Sequence, residues 1–170
     1  MCSVNEQFSQ IYDQYIEKIY RFVYLKVSSQ DVAEDITSRV FMKGWEVFGT
    51  QGLDIKNPGA FLYKIARNLV IDYYRQKART NVVSVEALPQ LADNGTTVYD
   101  KAVLNSEIKL VKKAMNSLKK DYQDVLIWYY LDDMATSQIA KILDKKEGAV
   151  RVMLHRGLRD LKELIKTEKL

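Results

Sequence analysis

Cysteine, histidine, proline and glycine are all scarce in this 170-residue chain, at one, one, two and seven residues. A lone Cys2 cannot close an intramolecular disulfide, and with His155 as its only companion it cannot build a Cys/His zinc site. That kind of metal chemistry is excluded, and no cofactor is expected. Long apolar runs are missing as well. Nothing approaches the roughly 18 consecutive apolar residues of a membrane span, and Met1-Cys2-Ser3-Val4-Asn5-Glu6 contains no basic segment followed by an apolar one. The expectation is a cytoplasmic protein with no membrane partner. What is present, 47% hydrophobic and 28% charged residues, is the balance of a soluble chain able to bury the core of one or two small domains.

A large excess of charge of one sign is also absent, since the formal net charge is +4. Its distribution says more than its size. Residues 1–79 carry +2, residues 80–105 carry −2 and residues 106–170 carry +4. The first part of the acidic stretch holds Pro89, Asn94-Gly95 and Thr96-Thr97 and lacks a helical apolar period. A surface loop inside one domain has the same composition, but structureless loops longer than about 12–15 residues are uncommon in compact domains. The reading is a domain at 1–79, a flexible linker at 80–99 and a second domain at 100–170.

Both blocks read as helices. Phe8, Ile11, Tyr12, Tyr15, Ile16, Ile19, Phe22, Val23 and Lys26 follow three-and-four spacing, predicting an amphipathic helix over about 5–27. Ser28, Ser29 and Asp31 offer N-cap chemistry for a second helix over about 31–48, with Val32, Ile36, Val40, Phe41, Trp45 and Phe48 inward. Asp31, Glu34 and Asp35 stand in its first turn, where the helix dipole favours anions. Gly49, Gly52 and Asp54 end it in a loop. Asn57-Pro58 is a cap followed by a first-turn proline for a third helix to about Arg79.

In the second block, a helix starting at Asp100 or Ser106 runs through Val103, Leu104, Ile108, Val111, Ala114 and Met115. A further helix spans Tyr122 to Leu131 with Val125, Leu126 and Tyr129 inward. A short helix from Ser137 to Leu143, a turn at Asp144-Lys145-Lys146 and a longer helix from Glu147 to Lys166 follow. No strand pattern competes, so the expected class is all-α, a three-helix bundle and a four-helix domain.

The last two helices have helix-turn-helix spacing. Ile139, Ala140 and Leu143 share one face of the first, and Val150, Leu154, Leu158, Leu161 and Ile165 share one face of the second. Small Ala140 permits a close crossing and the three-residue turn fixes it. In such a motif the second helix can lie in the DNA major groove; a plain helical hairpin has the same spacing. Outward positions include Lys146, Glu147, Ala149, Arg151, Val152 and Arg156. On the third helix, Lys64, Asn68, Asp72 and Arg75 form a polar stripe away from Leu62, Ile65, Ala66, Leu69 and Tyr73. With Phe61, Tyr63 and Tyr74 beside Arg67, Arg75, Lys77 and Arg79, this stripe suits single-stranded DNA, where bases stack on rings and phosphates meet cations. It equally suits a solvated face.

Four segments carry a family resemblance: Phe8 to Phe22, Asp31 to Trp45, Ala60 to Arg75 and Leu118 to Leu161. The strings A-E-D-I-x-x-x-V-F, I-A-R-N-L-x-I-D-x-x-R and I-A-K-I-L-x-x-x-E-G-A-V-R-x-x-L-H-R stand in that order on either side of the linker. In combination they resemble a bacterial RNA polymerase sigma factor of the extracytoplasmic-function group of the sigma-70 family. The resemblance implies an initiation factor that is not an enzyme. It implies that region two, with Asp31, Glu34, Asp35, Ile36, Arg39, Phe41 and Trp45, docks on the β′ clamp coiled coil of core RNA polymerase. The third helix and the loop before it, about 49–57, would open the -10 element and hold the melted non-template strand through Phe61, Lys64, Arg67, Asn68, Asp72, Arg75, Lys77 and Arg79. Region four would touch the β flap and read duplex DNA at the -35 element through Ser137, Gln138, Lys146, Glu147, Ala149, Arg151, Val152, His155 and Arg156. An anti-sigma factor is a further partner that the family implies.

The sequence departs from the family at four informative places. Ser38-Arg39 replaces a usual Gln-Glu or Gln-Asp, reversing a charge on the polymerase-facing helix. Phe61 replaces a usual Trp, and Asp144 replaces the turn glycine, a change compatible with the left-handed region that Asp can visit. Val152-Met153 stands where Ser and Arg are common. With Val152 on the outer face it contacts either a thymine methyl or a protein surface, which adds a DNA-bound recruiting protein to the expected partners. Two readings from other classes stay open on the sequence: a polymerase-independent DNA-binding regulator, and a helical adaptor that binds proteins alone.

Overall fold

A computed structural model describes residues 4–51, 55–83 and 106–168, and among these every regular element is helical. The chain divides into two compact units, Met1–Gly95 and Thr96–Leu170. In the first, α1 (Val4–Val27), α2 (Gln30–Gln51) and α3 (Pro58–Val83) all pack against one another. The second holds α4 (Ser106–Ser117), α5 (Lys120–Leu126) with a π-helical continuation at Ile127–Leu131, α6 (Thr136–Leu143) and α7 (Glu147–Glu168). Helix α7 is its spine and touches α4, α5 and α6.

Local chemistry explains the boundaries of the first unit. Ser28 turns the chain at φ 54°, its N–H donating to the Tyr24 carbonyl at 2.8 Å, and α2 starts two residues later. Asn57 caps α3 as its position before Pro58 predicts: its Oδ1 accepts from the Ala60 N–H at 2.9 Å. Two helices outrun their sequence-based ends. Helix α2 continues through Gly49 to Gln51, and α3 continues past Arg79 to Val83, into the segment read as linker. Thr80 is accommodated in that continuation by donating from its hydroxyl back to the Gln76 carbonyl at 3.0 Å. Residues 52–54 and 84–105, and with them most of the expected linker and the start of the second domain, lie outside the described residues.

The core of the first unit gathers Ile19, Phe22, Val23, Ile36, Val40, Phe41, Leu62, Tyr63, Ala66 and Val70. Tyr63 is fully buried, edge-on to Phe22 at 5.7 Å between ring centroids. Trp45 departs from its inward expectation: it is 39% exposed, packed edge-on against Phe8 on the rim of the bundle.

The second unit closes over Trp128, Val125, Ile127, Ile139, Ile142, Val150 and Ala114. On α4, Ile108 and Val111 are 51% and 42% exposed, with Ala114 and Leu118 providing its buried contacts. Two expectations change here. Tyr129 is exposed rather than inward, because the π-helical turn, closed by the Asp132 N–H on the Ile127 carbonyl at 3.2 Å, breaks the 3.6-residue register. Ile127 and Trp128 fall inside and Tyr129, Tyr130 and Leu131 fall outside. On α6, Ile142 rather than Leu143 joins Ile139 and Ala140 in the core. Buried Gln123 donates through Nε2 to the Leu118 and Asn116 carbonyls at 3.1 and 3.3 Å, closing the end of α4.

Gly157 of α7 packs closely against α5. A Cβ there would lie 3.2 Å from the Tyr122 Cβ and 3.5 Å from the Leu126 Cδ1. Gly157→Val therefore forces α5 and α7 apart, and we expect it to destabilise this unit by about 1–3 kcal/mol, read as a lower denaturant midpoint in equilibrium unfolding; an unchanged midpoint would mean that the crossing is looser than these distances.

Candidate nucleic-acid and partner interfaces

The 26 residues of α3 bury one stripe and expose the other. Leu62, Ala66, Leu69 and Val70 are 1%, 0%, 4% and 3% exposed, whereas Lys64, Asn68, Asp72 and Arg75 all face solvent, as do Lys77 and Arg79. The anticipated polar stripe is thus continuous over three turns. Arg75 Nη1 lies 3.7 Å from Asp72 Oδ1, and Lys77 Nζ sits 5.8 Å from the Tyr73 ring centroid. Phe61 and Arg67 are half-buried at the flank of the stripe. Two aromatics read as stacking platforms serve other ends. Tyr63 is core, and the half-buried Tyr74 donates its hydroxyl to the Lys26 carbonyl, tying α3 to the end of α1. Burial pushes the Tyr74 phenol above its ordinary pKa, so it stays a neutral donor.

Beside this stripe, α2 and α3 enclose a groove of about 340 Å³. Asp31, Val32, Asp35, Ile36 and Arg39 line it from α2, and Leu69, Asp72, Tyr73 and Gln76 line it from α3. Three carboxylates face one guanidinium here, and Arg39 Nη1 is 3.8 Å from Asp35 Oδ2. Glu34 accepts from Gln30 Nε2 at 2.8 Å on the same helix. The reversed charge at Arg39 is therefore balanced one turn away by Asp35, in an exposed pair of small energetic weight. Of the seven residues assigned to polymerase docking, Ile36 and Phe41 are 2% and 5% exposed and belong to the bundle interior, Ile36 touching only the groove floor. Asp31, Glu34, Asp35, Arg39 and Trp45 are on the surface. Asp72, assigned to DNA on sequence grounds, shares its groove with Asp31 and Asp35.

In the second unit, α6 and α7 form the helix-turn-helix. Asp144 adopts φ 53°, ψ 47°, and the Lys145 N–H donates to the Ala140 carbonyl at 3.0 Å, so aspartate does fill the left-handed corner. Gln138 turns back on its own helix start, its Oε1 accepting from the Ala135 N–H at 3.0 Å. Glu147, read as an outward contact, is held internally. Its Oε1 accepts from the Thr136 hydroxyl at 2.6 Å and from Arg151 Nη2 at 2.7 Å. One carboxylate thus joins the first residue of α6 to the first two turns of α7. Thr136 was not singled out by the sequence; the signal was its place, like that of Glu147, at the first position of its helix.

Ser137, Lys146, Ala149, Val152, His155 and Arg156 remain on the surface, with Arg151 exposed but paired. Lys119, Lys120, Asp121, Tyr122 and Lys145 surround Met153 in a groove of about 410 Å³. Its three lysines come from the Lys119-Lys120 and Lys145-Lys146 runs, and they place cations around the position where α7 itself carries a thioether. Among the described residues no cluster of three or more His, Cys, Asp and Glu could hold a metal, and no helix is long and apolar enough to cross a membrane.

The Thr136 hydroxyl, with Arg151 alongside, holds the Glu147 carboxyl below its usual range against the smaller opposing effect of desolvation. A carboxylate with a lowered folded-state pKa contributes stability that is fully present above the ordinary glutamate value of about 4.3 and is lost as pH falls through the folded value. Glu147→Gln is expected to flatten the acid limb of the unfolding profile of this unit below about pH 4.3 while Thr136→Val lowers stability at pH 7. Identical acid limbs in wild type and Glu147→Gln would show that the carboxylate is not linked to folding.

Comparisons with known proteins follow this division of the chain. Residues 11–80 match Sigma-70 region 2 and residues 108–161 match Sigma-70, region 4. The ECF RNA polymerase sigma factor BldN of Streptomyces coelicolor is 30% identical over 162 residues, which cover 94% of this chain and 61% of BldN. SigW of Bacillus subtilis, also an ECF RNA polymerase sigma factor, is 27% identical over 170 residues, covering 95% of this chain and 90% of SigW. Two solved structures share the fold. The sigma factor RpoE in complex with the anti-sigma factor NepR from Bartonella quintana gives a TM-score of 0.75 at 22% identity, over 94% of this chain and 97% of RpoE. CnrH in complex with the cytosolic domain of CnrY gives 0.65 at 17% identity, over 94% and 88% of the two chains.

Proposed function

Because the chain belongs to the sigma-70 family, in its extracytoplasmic-function group, we propose that it binds core RNA polymerase in the cytoplasm and directs it to promoters, opening the DNA there. Members of this family are initiation factors, not enzymes. The observation that carries the reading is the exposed Lys64-Asn68-Asp72-Arg75 stripe on α3, backed by a buried apolar stripe, in a chain whose second unit holds a helix-turn-helix.

In this reading, α2 with Asp31, Glu34, Asp35, Arg39 and Trp45 docks on the β′ clamp coiled coil, and the second unit meets the β flap. The α3 stripe, with Phe61, Arg67, Lys77 and Arg79, captures bases of the melted -10 strand, and α7 enters the major groove at the -35 element. Magnitudes favour the arrangement. Stacking is worth about 1.4 kcal/mol per base-pair step, so opening several steps costs several kcal/mol. Capturing and stacking a base returns about 1–3 kcal/mol. A small factor therefore tips melting only while polymerase holds both it and the DNA. The net charge of +4 agrees with this dependence, since few phosphate contacts give little affinity for free DNA.

The anti-sigma factor bound to RpoE supports a protein partner of that kind for this chain too, one that withholds it from polymerase. A DNA-bound recruiting protein belongs to the same reading, as a second contact at promoters whose upstream element fits α7 poorly.

The test is reconstitution with core polymerase. Purified protein should be retained by core in a pull-down and should support initiation with defined start sites; absence of core binding would sink the proposal. Tight specific binding of duplex DNA by the protein alone would replace it with a polymerase-independent regulator. Asn68→Ala and Arg75→Ala should each reduce promoter opening, measured by permanganate reactivity, about tenfold or more while changing core affinity less than twofold. That margin corresponds to roughly 1.4 kcal/mol, within the worth of one captured base. Parallel loss of docking and opening would contradict the role given to the stripe.

A further inference from the structure

Helix α7 presents an outward surface with few ways to make a hydrogen bond in its first two turns. Val150, fully buried, and Gly157 mark the inward side. At about 100° per residue, Gly148 and Val152 point the opposite way with Ala149 on their flank, and all three are exposed. Two of the polar side chains around them are already engaged, Glu147 with Thr136 and Arg151, and Arg151 with Glu147 at 2.7 Å. A Cβ added to Gly148 would meet nothing within 4 Å, so the small residue there is not demanded by packing. The result is a low surface that lets the helix backbone approach a partner closely. One branched apolar side chain, 47% exposed, stands up from it.

We infer that Val152 is a specificity-determining residue that reads the C5-methyl group of thymine in the major groove of the upstream promoter element. This deepens the proposed function and rests on its placement of α7 in that groove. Among the base edges displayed there, the thymine methyl is the apolar group, while the other distinguishing features are hydrogen-bond donors and acceptors. A valine offers nothing to a donor or acceptor and desolvates it without return. Against a methyl it removes apolar surface from water on both sides. Gly148 and Ala149 add no bulk that would hold the valine away from the base edge. Lys146 before them and Arg156 after them are exposed cations, suited to the phosphates on either side of such a contact.

The chemistry defines its own probe, because deoxyuridine pairs like thymidine and lacks only the methyl. Holoenzyme assembled from core polymerase and the full chain would first select active promoters from templates randomised through the upstream element. Thymine should be enriched at one or more positions. Replacing each enriched thymine by deoxyuridine should lower open-complex formation about three- to fivefold at the position met by Val152, the size expected for one buried methyl. Val152→Ala, an exposed substitution of good helix propensity, should bring the thymine-to-uracil ratio there to near one. Strong initiation with equal use of thymine and uracil at every position overturns this inference and leaves the sigma reading intact. So does a ratio unchanged in Val152→Ala. Initiation that needs a second DNA-bound protein, with Val152→Ala weakening only that dependence, assigns the side chain to a protein contact instead. Absence of initiation on all templates, with no retention by core, overturns the sigma reading and this inference together.

Discussion

An α-helix turns about 100° per residue, so a helix packed in a small bundle buries one stripe of its surface and surrenders the rest to water. The proposed functions of α3 and α7 depend on that constraint. In α3 the burial of Leu62, Ala66 and Leu69 leaves Lys64, Asn68, Asp72 and Arg75 in line on the outside. In α7 the burial of Val150 and Gly157 aims Ala149, Val152 and Arg156 outward. Neither functional surface is built separately from the core. A substitution that rotated either helix by one residue would bury a charge, and the expense of burying an unpaired charge keeps the register in place.

The helical period is also why so much was legible beforehand. The class, the Asn57 cap, the left-handed Asp144 corner and the α3 stripe each follow from a spacing or a local backbone preference, and the structure bears them out. The failures share a different cause. Tyr63 and Tyr74 are ordinary residues of a nucleic-acid-facing aromatic set by composition, yet one fills the core and the other spans to the Lys26 carbonyl. Distance along the chain between Tyr74 and Lys26 hides that bond from any local pattern. Tyr129 slipped outward because a π-helical turn has a period other than the one used to read it. At the site itself, the outward position of Glu147 was legible, but its engagement by Thr136 from the neighbouring helix was not.

The Thr136-Glu147-Arg151 link changes what the helix-turn-helix can do. A carboxylate on the first turn of a recognition helix repels phosphate and would ordinarily count against DNA binding. Here it accepts hydrogen bonds from within the unit, which spends its charge locally and holds the two helix starts together. The orientation of α7 is thereby set by a polar contact in addition to Ile139, Ala140 and Val150. Precision of this kind suits a helix that carries short side chains at Gly148, Ala149 and Val152, because a small side chain contacts a base edge only when the backbone behind it is accurately placed.

Pairing recurs at the other surfaces. Arg39 rests on Asp35, Arg75 on Asp72 and Arg151 on Glu147, each within one helical turn. Exposed pairs of this sort are worth about 0–1 kcal/mol, whereas a guanidinium engaging a phosphate or carboxylate in a dry, two-pronged contact gains considerably more. The carboxylates therefore quiet these arginines toward solution without holding them firmly. Free DNA, offering screened contacts at scattered positions, gains little by displacing them. A partner surface that excludes water and presents its anion in fixed geometry gains enough. Under the proposed role, that difference is a physical reason for the chain to remain inactive on duplex DNA by itself and to engage it once polymerase has brought the two together.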